Sequence, residues 1–293
     1  MLEADKKRLE KPEWLKKKVF LNNQNIARVN NLVLDLNLHT VCQNAQCPNI
    51  FECFSNKTAT FLLLGNICSR NCAFCSVESG RPVAIDKNEP ENIATAVSAL
   101  ELKYIVLTSV TRDDLADGGA GQFAKTLRKI KALMPEAKVE CLIPDFKNED
   151  KNLEILLRED LDVLNHNIET VKENYAGIRN GADYQKSLKI LDRSKRIKPD
   201  ITTKSGFMLG LGEKLEEIYG LLKDLKSVNC DIVTIGQYLS PGKNNIPVQK
   251  YYRPEEFAEL EKYANNMGFK YVVSGVFVRS SYLAAAAFQA SGN

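Results

Sequence analysis

The chain has 293 residues, of which 44% are hydrophobic and 26% are charged, and its formal net charge is only +3. This composition is close to that of an average globular protein and excludes a disordered or fibrous chain. The near balance of acidic and basic residues gives no support to nucleic-acid binding. No apolar run follows the charged start and none approaches membrane-spanning length, so we expect a cytoplasmic protein with no membrane partner.

Residues 1–58 are predicted to form an N-terminal extension. Its first 40 residues combine the basic runs 6–8 and 16–18 with asparagine-rich sequence and Trp14, and we expect them to pack on a core. The remainder carries three of the chain's eight cysteines, Cys42, Cys47 and Cys53. Clustered thiols in a reducing compartment more often bind metal than form disulfides.

From residue 59 onward, short β-rich runs alternate with amphipathic helical stretches, which predicts βα units with parallel strands. We expect six strands at 59–65, 104–109, 138–144, 162–168, 201–209 and 231–237. The helices are expected at 91–102, 121–133, 152–159, 184–196 and 213–227. Residues 59–240 are assigned to this region. A C-terminal extension, 241–293, adds a helix at 254–267, a seventh strand-like run at 269–278 and a short helix at 283–288.

Six parallel units fit either a partial (β/α)6 barrel or an open doubly wound sheet, and both architectures place functional sites at the carboxyl ends of the strands. Polar residues stand at these predicted ends. Ser109 closes the second strand, Asp145 follows the third, and Asn165 interrupts the fourth. Cys141 and Cys230 are expected near strand starts as ordinary buried thiols.

A second cysteine triplet, Cys68, Cys72 and Cys75, follows the first predicted strand with the spacing C-x3-C-x2-C. Three thiolates on a four-iron cluster leave one iron open to another ligand. The alternative is a structural zinc site, but zinc normally takes four protein ligands and no fourth lies nearby with matching spacing. The first triplet reads C-x4-C-x5-C, which is not a common signature, and structural zinc stays a stronger alternative there.

The second triplet and its place after a strand resemble the radical S-adenosylmethionine (SAM) superfamily. Further blocks resemble the lipoyl synthase family within that superfamily, and the resemblance covers about residues 12–283. These blocks include His39-Thr40-Val41-Cys42, Cys47-Pro48-Asn49, Asn165-His166-Asn167-Ile168-Glu169-Thr170 and Arg279-Ser280-Ser281-Tyr282.

The resemblance implies a partial (β/α)6 radical SAM barrel with N- and C-terminal extensions and two 4Fe-4S clusters. One cluster, on Cys68, Cys72 and Cys75, would bind SAM, which the reaction consumes. The implied activity is a sulfurtransferase that inserts sulfur at carbons 6 and 8 of a protein-bound octanoyl-lysine, giving the lipoyl cofactor. The auxiliary cluster and sulfur donor would be held by a second set of ligands: Cys42, Cys47, Cys53 and Ser281.

SAM needs protein contacts beyond the open iron, and the polar strand ends are the expected place for them. The candidates are Ser109, Asn165, Asn167 and Glu169, for which turn and cap hydrogen bonding is the alternative interpretation. Phe74 is expected to pack against adenine or the cluster, with a plain core aromatic as its alternative. For Ser281 the alternative is a helix cap.

The implied partners are octanoylated lipoyl-carrier domains, namely 2-oxoacid dehydrogenase acyltransferase subunits and the glycine cleavage H protein. A low-potential electron donor such as flavodoxin or ferredoxin, an iron-sulfur cluster carrier and a monomeric state are also implied. Two alternatives remain at this point. One is a radical SAM enzyme of another reaction whose extra cluster only carries electrons; the other is a metal-thiolate binding or sensing protein without catalysis.

Overall fold

Across residues 9–17 and 23–292, which the computed structural model describes, seven parallel strands form one sheet in the order of the chain. In chain order the strands are β1 (Thr60–Leu63), β2 (Ile67–Cys68), β3 (Glu78–Ser79), β4 (Tyr104–Ser109), β5 (Lys138–Leu142), β6 (Val163–Asn165), β7 (Thr202–Leu209), β8 (Ile232–Gln237) and β9 (Tyr271–Gly275). The pair β2 and β3 stands apart, and the others follow the order β1-β4-β5-β6-β7-β8-β9.

Eleven α-helices are present among the described residues, three before the first strand, one after the last and the others between strands. They are α1 (Gln24–Asp35), α2 (Val41–Asn44), α3 (Ile50–Ser55), α4 (Glu89–Leu100), α5 (Ala120–Leu133), α6 (Asp150–Leu157), α7 (Tyr175–Ile178), α8 (Tyr184–Ile197), α9 (Leu215–Ser227), α10 (Pro254–Asn266) and α11 (Ala284–Ala290). In α8, the Asp183 side chain caps the Lys186 amide, and Tyr184, Leu188 and Leu191 recur at helical spacing on the buried face. Such faces form one hydrophobic core with the sheet.

The strand order distinguishes between the two architectures that the sequence allowed. A doubly wound sheet reverses direction at a switch point, whereas here every strand lies beside its successor, as in a barrel. Because β1 and β9 are the two edges of the sheet, the arc is open. The prediction of a partial barrel is confirmed, and the seventh strand continues the arc into the predicted C-terminal extension.

Several predicted boundaries were wrong by a few residues. The fourth predicted strand, 162–168, is reduced to β6, because the backbone leaves the ladder after Asn165 and reaches a left-handed conformation at Glu169, with φ of 69°. Cys141 is the fourth residue of β5, not a strand start. Cys141 and Cys230 are nevertheless buried, as predicted.

The N-terminal segment packs on the core where it is described. Leu15 is fully buried, and Trp14 Nε1 donates a hydrogen bond to the Tyr252 carbonyl at 3.3 Å. The basic run 6–8 and Lys18 lie outside the described residues. Over the part of the chain that is described, no helix is both long enough and apolar enough to cross a bilayer.

Candidate active site

The loop between β1 and β3 carries the second cysteine triplet at the carboxyl edge of the sheet. It begins with a left-handed turn at Leu64 and Gly65, whose φ angles are 70° and 87°. The Leu64 amide donates to Glu89 Oε1 at 2.8 Å, and at the far end the Gly80 amide donates to the Cys68 carbonyl at 2.9 Å. The loop is therefore held at both ends beside the strand termini.

Arg70, between the first two cysteines of this loop, is bound by two carboxylates. Its guanidinium donates to both oxygens of Asp113 at 2.7 and 2.8 Å and to both oxygens of Asp145 at 2.6 and 3.0 Å. Asp113 follows β4 and Asp145 follows β5, so one side chain fastens the loop across two strand ends. Hydrogen bonding from Arg70 lowers the pKa of Asp113.

Backbone amides point at two of the sulfurs in the loop. Cys68 Sγ accepts from the amides of Arg70 at 3.4 Å and Thr111 at 3.3 Å, and Cys75 Sγ accepts from the Val77 amide at 3.4 Å. Hydrogen bonds of this kind stabilise a thiolate and tune the reduction potential of an iron-sulfur cluster. The donors around the triplet thus suit sulfur ligands that carry negative charge.

Two thiols of the second triplet, Cys72 and Cys75, have raised pKa values. Burial raises the pKa of Cys72 to about 11 and that of Cys75 to about 12, and nearby thiols add to both shifts. A bound metal removes such protons outright. Within the described residues, no three Cys, His, Asp or Glu side chains converge closely enough to hold one metal ion. In a four-iron cluster, by contrast, each thiolate binds a different iron.

The strand ends beside this loop carry buried polar atoms that find no hydrogen-bond partner among the described residues. They are Ser109 Oγ, Asn165 Oδ1, His166 Nε2 and Thr170 Oγ1. An unsatisfied buried polar group costs about 1–3 kcal/mol, so a ligand that supplies partners gains that free energy. Two of the predicted SAM contacts, Ser109 and Asn165, belong to this set. The atoms fit a polar ligand such as SAM at the carboxyl edge.

Asn167 and Glu169 follow Asn165 where the chain leaves β6. Asn167 hydrogen-bonds the Glu169 side chain, and its carbonyl accepts from Arg179 Nη1 at 2.9 Å. Burial raises the pKa of Glu169, which the positive charge of Arg179 opposes. The same charge lowers the pKa of Cys72 against the larger effect of burial. Arg179 therefore lies within electrostatic reach of the second triplet.

Arg179 could not be predicted from the sequence, because a lone arginine after a short helix matches no motif. Phe74, by contrast, was a candidate. It packs against a small apolar cluster separate from the main core, formed by Ile178, Leu211, Tyr238 and Val248. His166 is fully buried, its Nδ1 lies 2.9 Å from the Ile143 carbonyl, and burial lowers its pKa to about 3. It is neutral and hydrogen-bonded at the strand end.

The first triplet is gathered on two short helices at the edge of the sheet. Cys42 lies in α2, Cys53 lies in α3, and the Cys47 amide donates to the Cys42 carbonyl at 3.0 Å between them. Burial raises the pKa of Cys42 to about 11 and that of Cys53 to about 12, and the neighbouring thiols raise both further. The structure therefore brings these three thiols close together.

The C-terminal segment 277–283 folds back onto the first triplet. Asn49 Nδ2 donates to the Phe277 carbonyl at 2.7 Å, and Tyr282 Oη donates to Glu52 Oε1 at 2.8 Å. Burial lowers the pKa of Arg279, and the neighbouring Cys47 opposes this shift. The segment that contains Ser281 therefore contacts Asn49 and Glu52, which lie between and beside the cysteines of the first triplet.

The two triplets are neighbours in space. Ser76, directly after Cys75, donates its hydroxyl proton to the Asn44 carbonyl in α2 at 2.7 Å. Asn245 Nδ2 donates to the Cys75 carbonyl at 2.8 Å from the loop after β8. The loop of the second triplet is thus packed between the helices of the first triplet and the far side of the arc.

Family models give the class of protein, and solved structures share the fold. The model of the radical SAM superfamily matches residues 62–225, and that of the N-terminal domain of lipoyl synthase of the radical SAM family matches residues 1–47. Methylornithine synthase aligns with a TM-score of 0.56 at 13% identity, covering 86% of this chain and 84% of its own. The FeFe-hydrogenase maturase HydG from Carboxydothermus hydrogenoformans aligns with a TM-score of 0.56 at 14% identity, covering 79% and 65%.

An open arc of parallel strands with three thiols in the loop after the first strand defines a radical SAM enzyme, with a 4Fe-4S cluster and SAM as its cofactors. Curated relatives narrow the class. The lipoyl synthase of Caldicellulosiruptor saccharolyticus is 55% identical over 274 residues, which cover 94% of this chain and 96% of the relative. That of Aquifex aeolicus is 51% identical, with 91% and 97% covered. The chain belongs to the lipoyl synthase family, and the prediction of a radical SAM sulfurtransferase is confirmed.

Proposed function

We propose that this enzyme inserts two sulfur atoms into a protein-bound octanoyl-lysine and uses its two cysteine triplets for two different clusters. Cys68, Cys72 and Cys75 hold the cluster that binds SAM. The auxiliary cluster is held by four ligands: Cys42, Cys47, Cys53 and Ser281. The contact that supports the proposal is the 2.7 Å hydrogen bond from Ser76 Oγ to the Asn44 carbonyl, because it joins the loop of the second triplet to the helix that carries Cys42.

Breaking an aliphatic C–H bond requires a radical that no amino-acid acid or base supplies, and the SAM-bound cluster is the group that supplies it. The protein's part is to hold that group and to orient what surrounds it. Arg70 fixes the loop, while backbone amides at Cys68 and Cys75 stabilise the thiolates. Ser109, Asn165, Asn167 and Glu169 offer polar contacts to SAM, and Phe74 borders the same region from its apolar cluster.

The auxiliary cluster supplies the sulfur in this proposal. Ser281 would be the oxygen ligand of this cluster, and because serine oxygen is a harder ligand than thiolate, it would hold its iron less firmly than the three cysteines hold theirs. Both flanks of Ser281 support this place for it, since Arg279 lies near Cys47 and Tyr282 bonds Glu52 beside Cys53. The proposed units are 1–58 for the auxiliary cysteines, 59–240 for the barrel and 241–293 for the serine.

The experiment is one turnover of anaerobically reconstituted enzyme with SAM, a reductant and an octanoyl-lysine peptide, scored by the mass of the product. Wild type is expected to bind about eight irons, two four-iron clusters, and to add sulfur. The triple variant Cys42→Ala/Cys47→Ala/Cys53→Ala is expected to keep four irons and SAM cleavage but to insert no sulfur. Cys230→Ala, a buried thiol outside both triplets, is the control. Sulfur insertion by the triple variant would contradict the proposal.

Lipoyl-carrier proteins are the proposed substrates, through acyltransferase subunits of 2-oxoacid dehydrogenases and the glycine cleavage H protein. Flavodoxin or ferredoxin as reductant, a cluster carrier for repair, a cytoplasmic location and a monomeric state stay predictions. Comparing octanoylated carrier domains with the free peptide in the same assay would measure what the carrier contributes to the rate and yield of sulfur insertion.

A further inference from the structure

Ser280, the residue before the proposed serine ligand, is held between two asparagines at the end of β6. Asn165 Nδ2 donates to Ser280 Oγ at 2.8 Å, and Ser280 Oγ donates to Asn167 Oδ1 at 2.8 Å. A hydroxyl has one proton to donate, and the Ser280 hydroxyl directs that proton to Asn167 while one of its lone pairs accepts from Asn165. The orientation of the Ser280 side chain is therefore set by the sheet.

Asn165 is itself anchored inside the arc. It also donates from Nδ2 to Glu140 Oε1 at 2.7 Å, and Lys204 Nζ lies 3.0 Å from both oxygens of Glu140. Tyr104 Oη donates to Glu140 Oε2 at 2.8 Å. Glu140 and Lys204 are fully buried, so disturbing this network would leave a charge without compensation. The central strands β4 to β7 thus share one stiff polar network that ends at Ser280.

From Asn167, the other partner of Ser280, further contacts lead toward the second triplet. Asn167 hydrogen-bonds Glu169 and accepts from Arg179, whose charge acts on Cys72. The chain of contacts therefore runs from the region of the proposed SAM site through Ser280 to the segment that carries Ser281.

We propose that Ser280 is a positioning residue that ties the two cluster sites together. It holds Ser281 in register with the end of β6, where SAM is proposed to bind. The inference rests on the proposed function, because it takes Ser281 as the auxiliary ligand. Its physical reason is geometric, because the rate of sulfur insertion depends on the distance between the radical source and the sulfur source. A misplacement of about 1 Å can cost about 100-fold in rate.

The test compares Ser280→Ala with Ser280→Thr, which keeps the hydroxyl, and with Ser274→Ala. Ser274 is a matched control in the same region, because its hydroxyl donates to the Phe257 carbonyl at 2.8 Å, away from both triplets. Hydrogen exchange of residues 277–283 is measured in the metal-free chain. Ser280→Ala removes two hydrogen bonds and is expected to accelerate this exchange about tenfold, while Ser280→Thr and Ser274→Ala match wild type.

A second readout isolates the auxiliary site. In a Cys68→Ala/Cys72→Ala/Cys75→Ala background, which leaves only the first triplet, iron release to a chelator is timed after reconstitution. Adding Ser280→Ala is expected to speed release about tenfold, and Ser280→Thr is expected to restore the slow rate. If Ser280→Ala matches Ser274→Ala in both readouts while wild type binds two clusters, the positioning role alone is overturned. A wild type that binds a single cluster overturns the proposed function and this inference together.

Discussion

Arg70 is a single side chain on which the geometry of the SAM-cluster loop depends. Arg70→Gln removes four charge-assisted hydrogen bonds and leaves Asp113 and Asp145 facing each other. We expect the free energy of unfolding at pH 7 to fall by about 2 kcal/mol, near the value for one bonded charged group, because solvent screens the partly exposed Asp113. Urea unfolding measures this, and chelator-accessible iron reports the loosened loop.

The difference in unfolding free energy between wild type and Arg70→Gln is expected to depend on pH. The pKa of Asp113 is lowered in the folded protein, so its contribution to stability is present above its unfolded pKa and is lost as pH falls. The difference between wild type and Arg70→Gln should therefore shrink from pH 7 toward pH 3. Arg158→Gln is the control, because Arg158 makes only an exposed pair with Glu154. An equal loss in both variants at pH 7 would rule out a special role for Arg70.

At the level of residues, the cysteine ligands can be predicted from the sequence more readily than the residues that hold their loops in place. The six clustered cysteines could be found because metal ligands at close spacing form a local pattern. Arg70 reaches Asp113 and Asp145 across more than 40 positions, and such pairing depends on how the strands align. Arg179 was missed for the same reason.

At the level of elements, the close packing of β7 against β8 requires a glycine at position 206. A Cβ at Gly206 would lie 2.3 Å from Thr234 Oγ1 on β8 and 3.0 Å from Asn167 Oδ1. Gly206→Ala must therefore push Thr234 away and displace Asn167, which faces the proposed SAM site. We expect a loss of about 1–3 kcal/mol in unfolding free energy, typical of overpacking, together with weaker SAM binding by the reconstituted enzyme.

The control is a glycine with open space around it. Gly220 lies in α9, and a Cβ there would meet nothing within 4 Å. Gly220→Ala should raise the unfolding free energy by about 0.5–1 kcal/mol, since alanine favours a helix. Should Gly206→Ala be as stable as wild type and bind SAM equally well, the close approach of β7 and β8 would not constrain the site.

The strands and helices could be predicted from the periodicity of the sequence, whereas the residues at which they end could not. Alternation of β-rich and amphipathic runs is a property of the local sequence, and all six predicted strands and the seventh run are present. After the end of β6, the Ser205 side chain accepts from the Ile168 amide at 3.1 Å, so a side-chain contact interrupts the backbone ladder with β7. A tertiary contact of this kind leaves no local pattern.

At the level of the whole molecule, the two ends of the chain meet at the first triplet. Lys17 Nζ hydrogen-bonds Glu52 in α3, while Tyr282 Oη donates to the other oxygen of the same carboxylate. Lys17 also reaches Asn49 at 2.9 Å, and its charge lies 5.3 Å from the Phe277 ring centre. The family resemblance implied that the two extensions meet, because it assigned Ser281 to the cluster of the first triplet. The contacts that join them, from Lys17 and Tyr282 to Glu52, could not be predicted, because Lys17 and Tyr282 are more than 200 positions apart.

Glu52→Gln tests whether this junction acts as one unit. The change removes the charge that faces Lys17, and the single remaining acceptor oxygen cannot serve Lys17 and Tyr282 as the carboxylate does. Since Glu52 is partly exposed, we expect global stability to fall by less than about 1 kcal/mol. Hydrogen exchange should nevertheless rise about threefold in both 9–17 and 277–283, because local opening requires only these contacts to break. Glu154→Gln, which loses an exposed pair elsewhere, should change neither segment. If exchange rises in one segment only, the two ends open independently and the first triplet is not closed by a shared contact.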